Sequence, residues 1–197
     1  IEAIDVLIAA YKPSSLILNT PSYDVYKLRA DAHGCRCELI PLNSASQPQV
    51  DRIIEKATEG SMVVFISPNN PTGKLMDPAL VRKVIQKSQG MVVIDEAYIE
   101  FAGLQNSMQS LVKEYPNVII LRTFSKAWGL AGIRLGYIIS NEHNIQHLTP
   151  YRNEYSVNTV ALTIGLHALD QQNELKIQVE RILEHKSDLI YQFEHVG

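Results

Sequence analysis

Three stretches of this 197-residue chain place covalent and ionic chemistry directly after apolar runs. The first is Ser67-Pro68-Asn69-Asn70-Pro71-Thr72-Gly73-Lys74, the second Asp95-Glu96-Ala97-Tyr98. The third starts at Thr123-Phe124-Ser125-Lys126 and reaches Arg134 through a glycine-containing segment. A lysine amine can form a Schiff base with a carbonyl. Asp95, Asn70 and Tyr98 are the side-chain types that hold a polar aromatic ring by its edge. Thr123 and Ser125 can donate to a phosphate, and Arg134 can bind one through two parallel hydrogen bonds. Each stretch also has a plainer reading. Asn-Pro and Thr-Gly are common turn punctuation. An aspartate leaving a strand can cap the next helix. A lysine after a strand can be a surface loop cation. Three such stretches at the ends of three similar runs are harder to explain separately.

The elements that must position them follow from periodicity. Residues 62–67, 91–95 and 118–122 are short continuous apolar runs, the mark of strands covered on both faces. Residues 15–19 and 35–42 read as further strands and 135–140 as another candidate. Apolar spacing of three and four predicts helices over 1–11, 23–32 (ending near Gly34), 47–58, 107–115, 141–148, 157–171 and 173–196. Asp77-Pro78 is a helix start, and Gly90 is the expected stop of that helix. Strands alternating with helices predict an α/β fold: a three-layer α/β/α sandwich around a mostly parallel sheet. In such sheets ligands sit outside the carboxyl ends of the strands.

Composition narrows the function classes. Apolar residues make up 46% and charged residues 20%, which excludes a disordered or collagen-like chain. The net charge of −3 gives no electrostatic reason to expect nucleic acid, and no apolar run is long enough to span a membrane. No secretory leader pattern is visible, and a cytoplasmic protein is expected. Cys35 and Cys37 flank Arg36, so in a strand both thiols face one way. They read as half-buried thiols in a reducing compartment rather than a disulfide or metal pair. His143 and His147 stand four apart without a third metal ligand and read as a solvated helix face. Gly129-x-x-Gly132 is not a dinucleotide fingerprint, and Gly73-Lys74 lacks the rest of a P-loop. Trp128 reads as packing. So does the stripe Val179, Ile182, Leu183, Lys186, Ile190 and Phe193.

An acidic residue for a ring nitrogen, a Schiff-base lysine and a phosphate cluster are together the requirements of pyridoxal 5′-phosphate. The strings Ser67 to Gly73, Asp95 to Phe101 (DEAYIEF) and Thr123 to Gly136 (TFSKAWGLAGIRLG) resemble the signature of fold-type I pyridoxal-phosphate-dependent aminotransferases. Within them they are most similar to the histidinol-phosphate aminotransferase group. The resemblance implies that Lys126 is the Schiff-base lysine and later the proton carrier, and that Asp95 pairs with the protonated pyridine nitrogen. It implies that Tyr98 and Asn70 donate to the cofactor's phenolic oxygen. Arg134, Ser125 and Thr123 would hold its phosphate, and Tyr23 would stack on its ring, although Tyr23 alone could be an ordinary helix-start residue.

The resemblance further implies a homodimer, an amino-acid or amino-phosphate donor and a 2-oxo acid acceptor, with histidinol phosphate and 2-oxoglutarate in histidine biosynthesis as the expected pair. Related alternatives are threonine-phosphate decarboxylase and an aromatic aminotransferase. A non-catalytic nucleotide- or partner-binding module is the alternative of another class. Family features expected elsewhere are a first strand, a glycine-containing phosphate turn ahead of the first helix, an N-terminal tyrosine segment and a C-terminal small domain with a carboxylate-binding arginine. The chain is thus expected to be a fragment, with residues 1–170 a cofactor-binding large domain and 171–197 a helix leading toward the small domain. Without its neighbour, the 135–140 strand should lie at a sheet edge.

Overall fold

The computed structural model describes residues 1–196. Six strands form one sheet: β1 (Ser15–Thr20), β2 (Arg36–Pro41), β3 (Met62–Ile66), β4 (Met91–Asp95), β5 (Val118–Thr123) and β6 (Gly136–Ile139). Their spatial order is β2-β1-β3-β4-β5-β6. The first five are mutually parallel, and β6 runs antiparallel to β5 at the edge. The parallel ladder has the residue content expected of it. β3 is buried at every position and β4 is buried through its centre, because helices cover both faces.

One face is covered by α1 (Glu2–Tyr11), α2 (Val25–Ala32) and α7 (Glu142–Leu148). Their core includes Leu7, Tyr26, Ala30 and Leu148 with the strand residues Leu18, Val64, Val93 and Leu121. Cys35 and Cys37 both lie on this face as free thiols, the first buried and the second half-buried. The other face is covered by α3 (Val50–Lys56), α4 (Pro78–Lys87) and α6 (Leu111–Glu114), around Phe65, Ile94, Ile120, Ile53 and Val84. A small four-residue helix, α5 (Ile99–Ala102), follows β4. The chain then closes with α8 (Thr159–Leu169) and α9 (Gln172–His195).

Several boundaries are shorter than periodicity predicts, each for a local reason. The helix expected over 107–115 shrinks to α6, because the Glu96 carboxylate takes the backbone N–H of Met108 at 2.6 Å and the Ser107 hydroxyl. α4 starts as expected, with Asp77 accepting from the Ala79 N–H at 2.8 Å. It ends at Lys87 rather than at Gly90. Gly90 serves closeness instead: a Cβ there would stand 1.9 Å from the Ser61 carbonyl oxygen. α2 begins at Val25, two residues late, because a turn from the Tyr23 carbonyl to the Tyr26 N–H precedes it.

Candidate active site

In the strand register Asp95 lies beside Ile66 of β3 and Leu121 of β5. The carboxyl ends of three neighbouring parallel strands therefore open together. They carry the loop with Asn70, the Asp95–Tyr98 segment and the Lys126 loop.

Asp95 is the electrostatic centre of this end. Its Oδ2 accepts a 2.6 Å hydrogen bond from the Tyr26 hydroxyl, and its Oδ1 accepts from the Ala97 N–H at 3.0 Å. None of the ion pairs among the described residues includes it. Burial pushes its carboxyl above the ordinary aspartate value, against the pull of those two donors. An acid so placed is short of a positive partner.

Lys126 follows β5 on a loop fixed from behind. Ala127 is fully buried against Leu175 and Val179 of α9, with Trp128 and Phe101 packed around them. The lysine itself is exposed, and its Nζ lies 5.1 Å from the centre of the Tyr98 ring. That is cation–π range. Trp128 is thus packing, as its sequence context suggests. Of the α9 stripe, Val179 is buried, while Ile182, Ile190 and Phe193 are exposed.

The phosphate candidates form a second group. The Thr123 hydroxyl accepts from the Ser125 N–H at 3.0 Å and donates to the Leu135 carbonyl at 3.3 Å. Arg134 is exposed, has a left-handed backbone (φ 56°) and donates to the Ala131 carbonyl at 2.7 Å.

Tyr23 precedes α2 and meets the Tyr26 ring edge-on, centroids 6.4 Å apart and planes at 82°. Since Tyr26 holds Asp95, Tyr23 and Asp95 belong to one cluster. Asn70 reaches the same cluster through its neighbour. Asn69 is 2% exposed, and its amide donates to the Pro21 carbonyl at 3.1 Å and to the Thr72 hydroxyl at 3.0 Å. It ties the loop after β3 to the loop that carries Tyr23.

Three features escaped sequence reasoning. Tyr26 is spaced three residues from Tyr23, a helical neighbour that could have been noticed. Asn69 stands inside the Ser67–Gly73 string without a role of its own in the sequence reading. Glu96 and Arg122 form a buried ion pair, with Nη2 and Oε2 2.8 Å apart and side chains 0% and 8% exposed. No local pattern joins residues on different strand ends. A groove of about 470 Å³ lined by Val112, Tyr115, Asn141 and His143 lies at the opposite, amino end of β5 and takes no part in this cluster. Among the described residues no group of three or more His, Cys, Asp or Glu side chains is placed to hold a metal ion.

The residues present fit a cationic aromatic ring with a phosphate tail. Asp95 is a half-buried acid outside every ion pair among the described residues, Tyr23 lies half-buried beside it, and Thr123, Ser125 and Arg134 carry groups able to donate to a phosphate.

Comparison with known proteins bears on the fold and the family. The chain is 35% identical over 192 residues to the histidinol-phosphate aminotransferase of Parabacteroides distasonis, covering 95% of this chain and 55% of that protein. It therefore spans about half the length of the curated relatives it matches. In fold it is similar to the crystal structure of the histidinol-phosphate aminotransferase from Clostridium acetobutylicum, with a TM-score of 0.88 at 24% identity, covering 100% of this chain and 60% of that one. It is also similar to the Sinorhizobium meliloti enzyme solved in complex with pyridoxal-5′-phosphate, with a TM-score of 0.77 at 22% identity, covering 92% and 51%. The profile of the aminotransferase class I and II family matches residues 1–197, and the chain belongs to that family.

Proposed function

We propose that the protein containing this chain is a pyridoxal-phosphate-dependent aminotransferase acting on histidinol phosphate and 2-oxoglutarate. The observation that carries this reading is Asp95: a half-buried carboxylate outside every ion pair among the described residues, on the strand next to the one that leads to Lys126. Relatives named histidinol-phosphate aminotransferase support the substrate. Bound pyridoxal phosphate supplies a carbonyl for the lysine and an electron-withdrawing ring.

The rest is the work of this chain's residues. Asp95 holds a proton on the ring nitrogen, since a carboxylate nearby favours the charged form. Lys126 provides the amine for attachment and moves the proton at the substrate Cα. Tyr98 and Asn70 donate to the phenolic oxygen. Thr123, Ser125 and Arg134 anchor the phosphate, so that binding energy remote from the reacting bond fixes its orientation. Tyr23 covers one face of the ring. We further propose a homodimer as the active form, to be checked by light scattering on the full-length protein.

The test is amino transfer by the full-length protein. Histidinol phosphate with 2-oxoglutarate should yield glutamate at a kcat/KM at least about tenfold above tyrosine or phenylalanine as donor. Release of carbon dioxide from O-phosphothreonine without glutamate formation would replace this reading with a decarboxylase.

A further inference from the structure

Tyr26 is 1% exposed and lies in the core between α1, α2 and the sheet. A phenylalanine would fill that place equally well. A hydroxyl there costs free energy unless an acceptor meets it. Its acceptor is Asp95 Oδ2 at 2.6 Å, a short bond of the charge-assisted kind. With the Ala97 N–H on Oδ1, each oxygen of the carboxylate has its own donor, and the carboxylate cannot turn freely. The same turn of chain supplies Tyr23, edge-on to Tyr26.

We propose that Tyr26 is a positioning residue, whose hydroxyl fixes the Asp95 carboxylate and makes it a weaker base, so that a proton shared with a bound pyridine ring stays on the ring nitrogen. This rests on the reading of Asp95 as the ring's partner. A donor to a carboxylate favours its ionised form. Losing that donor would strengthen Asp95 as a base and draw the shared proton off the ring. Glu96, Tyr23 and the amino group of Ile1 are the other titratable groups whose charge acts on this pair, and the substitutions below leave all three in place.

The experiment uses the full-length protein loaded with pyridoxal phosphate labelled with 15N in the ring. The nitrogen signal is followed across pH by NMR. Tyr26→Phe should lower the fraction of ring nitrogen that is protonated at neutral pH, as the shared proton moves toward Asp95, and reduce kcat about tenfold with the amino-donor KM nearly unchanged. 3-Fluorotyrosine at position 26 keeps the shape and is a stronger donor. It should raise that protonated fraction, and it decides the matter if Tyr26→Phe does not fold. Asp95→Asn is the control for the underlying reading and should leave the ring unprotonated near neutral pH. If Asp95→Asn leaves the signal unchanged, Asp95 is not the ring's partner. If Asp95→Asn abolishes ring protonation while neither Tyr26 replacement changes the protonated fraction, the role of Tyr26 alone is overturned.

Discussion

Asp95 combines two requirements that oppose each other, burial and negative charge. Because its folded pKa is raised above the ordinary aspartate value, the folded cofactor-free protein binds a proton more readily than the unfolded chain does. Stability contributed by the protonated form is therefore lost as pH rises from the unfolded value of 3.8 through the raised folded one, and the loss is complete above it. Asp95→Asn removes this penalty. In the full-length cofactor-free protein it should raise Tm at neutral pH by about 2–4 °C, and the gain should shrink toward pH 4. The same change should slow amino transfer by about 100-fold or more, since a neutral amide cannot keep the ring nitrogen protonated. A lowered Tm at neutral pH would show that the carboxylate is better satisfied than its two donors suggest. At this scale the sequence was legible where chemistry is unusual: a lysine, an aspartate and an arginine after apolar runs. Tyr26 was not, because an aromatic on a helix face looks like core, and only the distance to Asp95 gives its hydroxyl a purpose.

Elements were legible where periodicity decided them and less so where a distant side chain intervened. The continuous runs at β3, β4 and β5 were readable because a strand covered on both faces has no polar side to interrupt it. The loss of helix ahead of α6 was not, since it follows from Glu96 reaching residues 107 and 108 from another loop. That network is also the main polar support between the site loops and the second core. Arg122→Ala would leave Glu96 buried without its cation and should cost about 3–5 kcal/mol in urea unfolding of the full-length protein. A cost below about 1 kcal/mol would mean that water or Ser107 satisfies Glu96 unaided. Gly34 and Gly90, both expected helix stops, should separate in the same assay. Gly34 has φ 67° and open space for a Cβ, so Gly34→Ala pays only backbone strain, about 1–2 kcal/mol. Gly90→Ala drives a methyl into the Ser61 backbone and should cost more, in the range of severe overpacking, about 3 kcal/mol. Equal costs would show that the Gly90 loop moves aside easily. Sequence alone gave both glycines the same helix-stop role, because clearance from a neighbouring strand leaves no local signature.

At the scale of the molecule, the closing helices and the sheet edge leave apolar groups uncovered. α8 exposes Val160, Leu162 and Leu166, and α9 exposes Ile182, Ile190 and Phe193. β6 adds an open strand edge. Exposed large apolar side chains and an open strand edge favour association. Residues 1–197 expressed alone should therefore self-associate in a concentration-dependent way by light scattering, and turn over substrate more than about tenfold below the full-length protein. A monodisperse, fully active 197-residue chain would mean that the site needs nothing beyond these elements. The central claim is that the loop after β5 delivers the covalent attachment point to a site organised by Asp95. It is tested most directly by borohydride reduction of the full-length, cofactor-loaded protein followed by peptide mapping. The account predicts one pyridoxyl label, on Lys126; a label on Lys74 or on any other lysine would contradict it.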